Sequence, residues 1–238
     1  MKDCKEIHFG NIDSTNKYLK DNYEKLDSFT FVSADYQSQG KGREDRIWNA
    51  NKGENLLFSL LIKDEGIVED GSFISLVTAV TISVLLEAYG LKKVKIKWPN
   101  DIYVNDKKIA GILLEGRMPH YLVVGVGVNV NQKEFDGEYR QTPTSMYLES
   151  NEETDINVLK KDVYETLMIN LEHYSSAKEV FLRYFKKHDY LLNKKVSYTI
   201  NNEIRFGKVK GVDKNFNIII RDWHGRHHIS SGEINLIK

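Results

Sequence analysis

Cysteine, proline and net charge are the three things this 238-residue chain has little of: one cysteine, three prolines, and 34 Lys plus Arg balanced by 34 Asp plus Glu. A lone thiol, Cys4, excludes an internal disulfide and a cysteine metal cluster. It lies at a terminus with no histidine partner suggested by the sequence, a poor setting for a nucleophile. The balanced charge leaves no overall field for nucleic acid or an anionic membrane, so any basic patch is local. The first residues, MKDCKEIHFG, hold no apolar signal region, and no run approaches about 18 apolar residues, so no signal peptide or membrane span is expected and a cytoplasmic location is the default. Repeats and low-complexity segments are also missing.

What is present is an ordinary globular composition, 41% hydrophobic and 29% charged, long enough for one good core and a small appendage. Asp13 and Ser14 are N-cap residues for a helix over about 15–26, with Tyr18, Leu19 and Leu26 as its buried stripe. FTFVSADY alternates as a strand, and NLLFSLLIK, without alternation, reads as a strand covered on both faces. The longest helix is expected over about 72–89, with Phe73, Leu76, Val77, Val80, Val84 and Leu85 too numerous for a one-sided surface helix and Gly90 as its C′ residue. Strand VKIKWP, a turn NDIYVNDKK, and strands IAGILLEGR and YLVVGVGVNVN follow at hairpin-like spacing, with Asn105-Asp106 as the turn signal. A loop over 132–154 has a short helical turn near 145–148, and helices are expected over 155–173 and 176–190. Short alternating strands then take over. The pattern predicts an α+β fold, a mixed and mainly antiparallel sheet flanked by helices over 1–190, with a small β-barrel over 191–238.

Four stretches carry chemistry. QSQGKGREDRIW (37–48) sets Gly40 and Gly42 around Lys41, freeing the backbone for positive φ or close approach, and adds Arg43 and Arg46 as charge-assisted donors to phosphate or carboxylate. It completes neither a Walker loop nor a dinucleotide fingerprint; a solvated basic turn explains it equally well in isolation. KWPND puts Lys97 on the strand face opposite Val94, Ile96 and Trp98, either solvated or aimed at an anion. In GVGVNVN, Gly125 and Gly127 leave one strand face bare with Asn129 in phase; a flat ligand or a close-packed helix would suit it. Ser14-Thr15-Asn16 is the fourth.

Taken in order, STN, YQSQGKGREDRIW, GENLLFSLLI, KWPNDIYVNDKKIAGILLE, GVGVNVN and a β-rich tail resemble the biotin protein ligases. That resemblance implies a fold related to class II aminoacyl-tRNA synthetases with a C-terminal SH3-like barrel. It implies activation of biotin by Mg-ATP to biotinyl-5′-AMP, then transfer to one lysine of a biotin carboxyl carrier domain. Ser14, Thr15, Asn16, Gln37, Gly40, Lys41, Gly111, Gly125 and Gly127 would form the biotin site. Arg43 and Arg46 would hold the phosphates, Trp48 would close the loop, Asn129 would meet the adenine, and Lys97 would bridge carboxylate and α-phosphate, with Lys97 and Arg43 as the catalytic pair. ATP and Mg²⁺ are the implied cofactors, with no metal ligands assigned.

Two departures stand out. Where the family loop commonly reads GRGRxGRxW, Lys41 replaces an arginine and Asp45 a glycine, which bears on how firmly the loop retains its adenylate. STN begins at Ser14, so a monofunctional ligase without an operator-binding domain is expected, as a monomer or homodimer that binds neither nucleic acid nor membrane. Lipoate or octanoate ligation on the same domain, or a biotin-binding module without catalysis, are the other readings. The arginine-rich loop ending in Trp48 argues against the first and intact Lys97, Arg43 and Arg46 against the second. The tail's His227 and His228, adjacent on a strand, point to opposite faces and suit no shared metal.

Overall fold

The computed structural model describes residues 6–44, 46–137, 139–200 and 203–237; Cys4 and Asp45 lie outside the described residues. The first half runs β1 (Glu6–Phe9), α1 (Thr15–Asn22), β2 (Phe31–Ala34), β3 (Asn55–Ile62), α2 (Glu65–Val68) and α3 (Gly71–Ala88). Then come β4 (Val94–Lys97), β5 (Asp101–Val104), β6 (Lys107–Arg117), β7 (Tyr121–Asn129) and α4 (Met146–Ser150). The rest is α5 (Ile156–His173), α6 (Lys178–His188), β8 (Lys195–Ile200), β9 (Glu203–Val212), β10 (Ile218–Asp222), β11 (Gly225–Ile229) and β12 (Ile234–Leu236).

Seven strands form one sheet in the order β1-β2-β3-β7-β6-β5-β4. All neighbours are antiparallel except β1 and β2. Period-two alternation sorts the strands' side chains. Leu56, Phe58, Leu60, Val124, Val126 and Val128 enter the main core beside Phe73, Val77 and Leu167. On the opposite face, Leu19 of α1 packs on Val32, Leu61, Tyr121 and Val123. That second face also carries Ser59, Gly125 and Gly127, which pair in register as Ser59 with Gly125 and Leu57 with Gly127.

The central helix forms as expected, and Gly90 takes φ +89° beyond it. By length and composition α3 would suffice to cross a membrane, but 72% of it is buried inside the molecule, spent on the core. Val84, expected inside, is 41% exposed. The first helix stops at Asn22 instead of residue 26. Lys63 donates to the carbonyls of Tyr23 and Leu26, 3.0 and 2.8 Å, and holds that stretch as a turn. Tyr18 and Leu26 are consequently only half-buried. Asn105 and Asp106 both take positive φ, the requirement of the tight hairpin their types predicted.

The tail is a five-stranded antiparallel sheet, β11-β10-β9-β8-β12. It is not closed into the expected barrel: among the described residues β11 and β12 stand at its two edges. It shares the main core with the first sheet through Trp98, whose indole donates to the Phe216 carbonyl at 2.9 Å, and through the edge-on pair Phe185–Phe216. His227 and His228 bond different carboxylates, Asp222 and Asp213, each at 2.8 Å.

Candidate active site

A cavity of about 220 Å³ opens on the α1 side of the large sheet. Its floor is Gly111, Gly125 and Gly127, three strand residues without side chains. The chain itself covers this bare face, with a helix at one glycine and an indole at the next. A Cβ on Gly125 would stand 2.1 Å from Asn16 Oδ1, so α1 packs there; one on Gly127 would stand 2.5 Å from Trp48 Cε2, so an indole lies flat there. A Cβ on Gly111 would stand 3.0 Å from the same ring.

Trp48 is delivered by the glycine-rich stretch, which folds back on itself. Gly42 N donates to Arg46 O at 2.7 Å, and Trp48 N to Gly40 O at 2.9 Å. Neither Gly40 nor Gly42 uses the positive φ expected of it; in this turn that conformation falls on Glu44, at φ 56°. Gly40 is required for another reason, since a Cβ would sit 2.6 Å from the Trp48 carbonyl. Gly40 therefore supports the loop from behind and does not line the cavity. Arg43 reaches Asn100 Oδ1 (3.5 Å) and the Gly232 carbonyl (3.3 Å). Arg46 pairs with Glu44 at 2.6 Å and with Glu233.

At the other end of the cavity Ser14 caps α1, accepting from Lys17 N. Gln37 Oε1 accepts from Thr15 N (2.7 Å) and lies 3.0 Å from Thr15 Oγ1. Behind them, Ser59 Oγ contacts Thr15 Oγ1 (2.7 Å) and Asn16 Oδ1 (2.5 Å).

The remaining wall is cationic. Lys97 is buried, 8% exposed, and among the described residues its ammonium has no hydrogen bond or ion pair, only the Tyr103 ring at 6.0 Å. Burial pushes its ammonium below the usual lysine range, aided by the charges of Lys108 and Arg140 and opposed by Asp101. Lys108 pairs with Asp101 at 2.7 Å and overlies the Trp48 ring at 5.4 Å. Arg140 pairs with Glu233. Burial opposes ionisation of Glu233, but Arg46 and Arg140 together hold its carboxyl below the usual range. Two polar atoms here are buried without partners, Trp48 Nε1 and Asn129 Oδ1, while Asn129 Nδ2 donates to the Thr144 carbonyl at 2.8 Å. An orphaned acceptor and donor beside an open floor are what a polar, planar ligand would satisfy.

Of the residues singled out from sequence, Ser14, Thr15, Asn16, Gln37, Lys41, Arg43, Arg46, Trp48, Lys97, Gly111, Gly125, Gly127 and Asn129 all line this cavity. Asn100, Asp101, Lys108, Arg140 and Glu233, to which the sequence assigns no role, line it too. Lys108 escaped because strict alternation from Gly111 puts it on the core face. The register shift between Ile102 and Tyr103 turns it to the cavity. Arg140 and Glu233 come from a loop and the tail and carry no local signal. Asn100 and Asp101 belong to the KWPND stretch and are the two whose place in the site is legible in the sequence.

Comparison with known proteins agrees with this geometry. Residues 9–129 match the biotin/lipoate A/B protein ligase family. The chain is 31% identical, over 94% of its length, to the bifunctional ligase/repressor BirA of Escherichia coli, of which it covers 72%. It is 36% identical over 50% of its length to the biotin--[acetyl-CoA-carboxylase] ligase of Paracoccus denitrificans, covering 51% of that protein. The structure of biotin protein ligase from Aquifex aeolicus in complex with biotin and ATP superposes with a TM-score of 0.87 at 28% identity, spanning 98% of this chain and 99% of that one.

Proposed function

The chain belongs to the biotin/lipoate A/B protein ligase family, and from that premise we infer that it is an ATP-dependent biotin protein ligase acting in two steps. A biotin carboxylate oxygen attacks the α-phosphorus of ATP and pyrophosphate leaves; the amine of a carrier-domain lysine then attacks the acyl carbon and AMP leaves. The observation that carries the reading is the cationic wall of Lys97, Lys108, Arg43, Arg46 and Arg140 set around a glycine floor. Two anions must meet in the first step, and positive charge fixed in advance on a partly dry surface lowers that barrier.

Within this scheme Thr15 and Gln37 receive the ureido head of biotin, and Lys97 and Lys108 share the carboxylate and α-phosphate. Arg43 and Arg46 take the remaining phosphates, displacing the Glu233 and Glu44 carboxylates that hold Arg46. Trp48 and Asn129 offer a ring face and an unpaired acceptor to the adenine, whose exocyclic amine is a donor. Among the described residues no group of three His, Cys, Asp or Glu forms a metal cage. Asp101 and Glu233 are the carboxylates of the cavity lining that would hold a magnesium ion beside the nucleotide phosphates. When bound, the ion neutralises charge on the leaving pyrophosphate.

Incubation with biotin, ATP and a purified carrier domain, read by pyrophosphate release and intact mass, tests this. The carrier should gain one biotinyl group at a single lysine. No mass gain, or lipoate outcompeting biotin in adenylate formation, would overturn it.

A further inference from the structure

Glu115 lines no part of the cavity, yet the geometry points to it as a positioning residue that sets the hydrogen-bond polarity of the biotin subsite. The inference rests on the reading of that subsite given above. Asn16 Nδ2 donates to Glu115 Oε2 at 2.8 Å and approaches the Leu113 carbonyl at 3.5 Å. A carboxylate and a carbonyl only accept, so the amide nitrogen must face them and Asn16 Oδ1 must face the sheet. There it takes the Ser59 hydroxyl proton at 2.5 Å. Lys20, paired with Glu115 on the far side, keeps a cation against the carboxylate.

Proton counting then gives the consequence. Ser59 and Thr15 have one hydroxyl proton each, and three oxygen–oxygen contacts ask for them: Ser59 to Asn16, Thr15 to Ser59, and Thr15 to Gln37. With the Ser59 proton committed to Asn16, the Thr15 hydroxyl can donate to Gln37 Oε1 at 3.0 Å or to Ser59 Oγ at 2.7 Å, and we assign its proton to the closer oxygen. Thr15 Oγ1 and Gln37 Oε1 are left 3.0 Å apart with no proton between them. The Gln37 oxygen cannot turn away, because it also accepts from Thr15 N at 2.7 Å. Two acceptors therefore converge at the cavity end of the chain and want an N–H from the ligand. A cyclic urea supplies one; a dithiolane or an alkyl chain does not. Reversing the polarity at Glu115 would turn the Thr15 hydroxyl toward Gln37, satisfy it internally and remove that demand.

Glu115→Gln performs the reversal, because Lys20 attracts the amide oxygen and leaves the amide N–H₂ facing Asn16. The test is biotin binding by calorimetry without ATP, beside KM for ATP and kcat with a carrier domain. Kd for biotin should rise on the order of tenfold, the loss of about one hydrogen bond, with KM for ATP and kcat within about twofold. Ser59→Ala, which cuts the chain in its middle, should do the same, and the double variant should be no worse than the poorer single. Lys20→Met should bind normally, and Lys20→Met combined with Glu115→Gln should restore binding, since the amide oxygen is then free to face Asn16. Wild-type-like biotin affinity in Glu115→Gln and Ser59→Ala, or no rescue by Lys20→Met, overturns the inference. Wild type that binds biotin but forms no adenylate overturns the proposed function instead, and wild type that binds no biotin overturns both.

Discussion

A buried lysine without an ion-pair partner is costly, and Lys97 is kept in that condition in the wall of the cavity. Its ammonium is held below the ordinary lysine range chiefly by desolvation. Between that lowered folded value and the ordinary one, the unfolded chain binds more protons than the folded one, so stability rises with pH across the window; below it the cost of the buried charge is present in full. Lys97→Met should thus raise Tm at neutral pH while lowering adenylate formation on the order of 10²-fold; a fall in Tm would show that the charge is compensated. For the enzyme, the same shift means that the cation is lost at a lower pH than an exposed lysine would lose it. Lys97→Arg, which does not deprotonate, should retain some activity and lose the alkaline limb of the wild-type pH profile. An unchanged limb would assign that titration to another group.

At the scale of elements, β7 and β6 make the floor by what they omit. Alternation places Val124, Val126 and Val128 in the core and Gly125 and Gly127 toward α1 and the cavity. The flat strip admits the Trp48 ring, and through it fixes where the 40–48 turn comes to rest. Gly127→Ala would drive a methyl group to within 2.5 Å of that ring. The ring must lift, because the strand backbone is held on both sides by ladder bonds to β3 and β6. A shift in tryptophan fluorescence, a weaker nucleotide affinity by roughly tenfold and nearly unchanged biotin binding at the Thr15 end are the expected outcomes. An unperturbed emission spectrum would mean that Trp48 does not rest there in solution.

Across the whole molecule, the tail closes the site. Glu233 and Gly232, just before β12, take Arg46, Arg140 and Arg43, so two distant segments, the 40–48 turn and the loop at Arg140, meet on one carboxylate and its neighbouring carbonyl. Exposed ion pairs are individually weak; this set matters because its members share a partner. Glu233→Ala should leave the core folded and speed tryptic cleavage after Arg43 or Arg46 several-fold, an effect that saturating ATP reverses by supplying phosphate in place of the carboxylate. Equal cleavage rates in the two proteins would show that the turn is held by its own backbone bonds alone.

Local pattern was enough to read the site's ingredients: a strand face stripped of side chains at Gly125 and Gly127, a capped helix beginning at Ser14, and a turn with two arginines able to meet an anion. These follow from period-two alternation, capping chemistry and charge, all written in short stretches of sequence. The reason Gly40 is glycine, the turning of Lys108 into the cavity and the early end of α1 each depended on a contact with a distant segment: the Trp48 carbonyl, the β5–β6 register shift, and Lys63. So did the partners that were missed. Glu233 and Arg140 meet Arg46 only because two sheets share one core around Trp98 and Phe216, and the polarity that Glu115 hands to Thr15 exists only once α1 lies across β6 and β3. Residue types and short-range spacing determined which chemistry this protein carries; packing between segments far apart in the chain decided which oxygen keeps its proton and which cation stays unpaired.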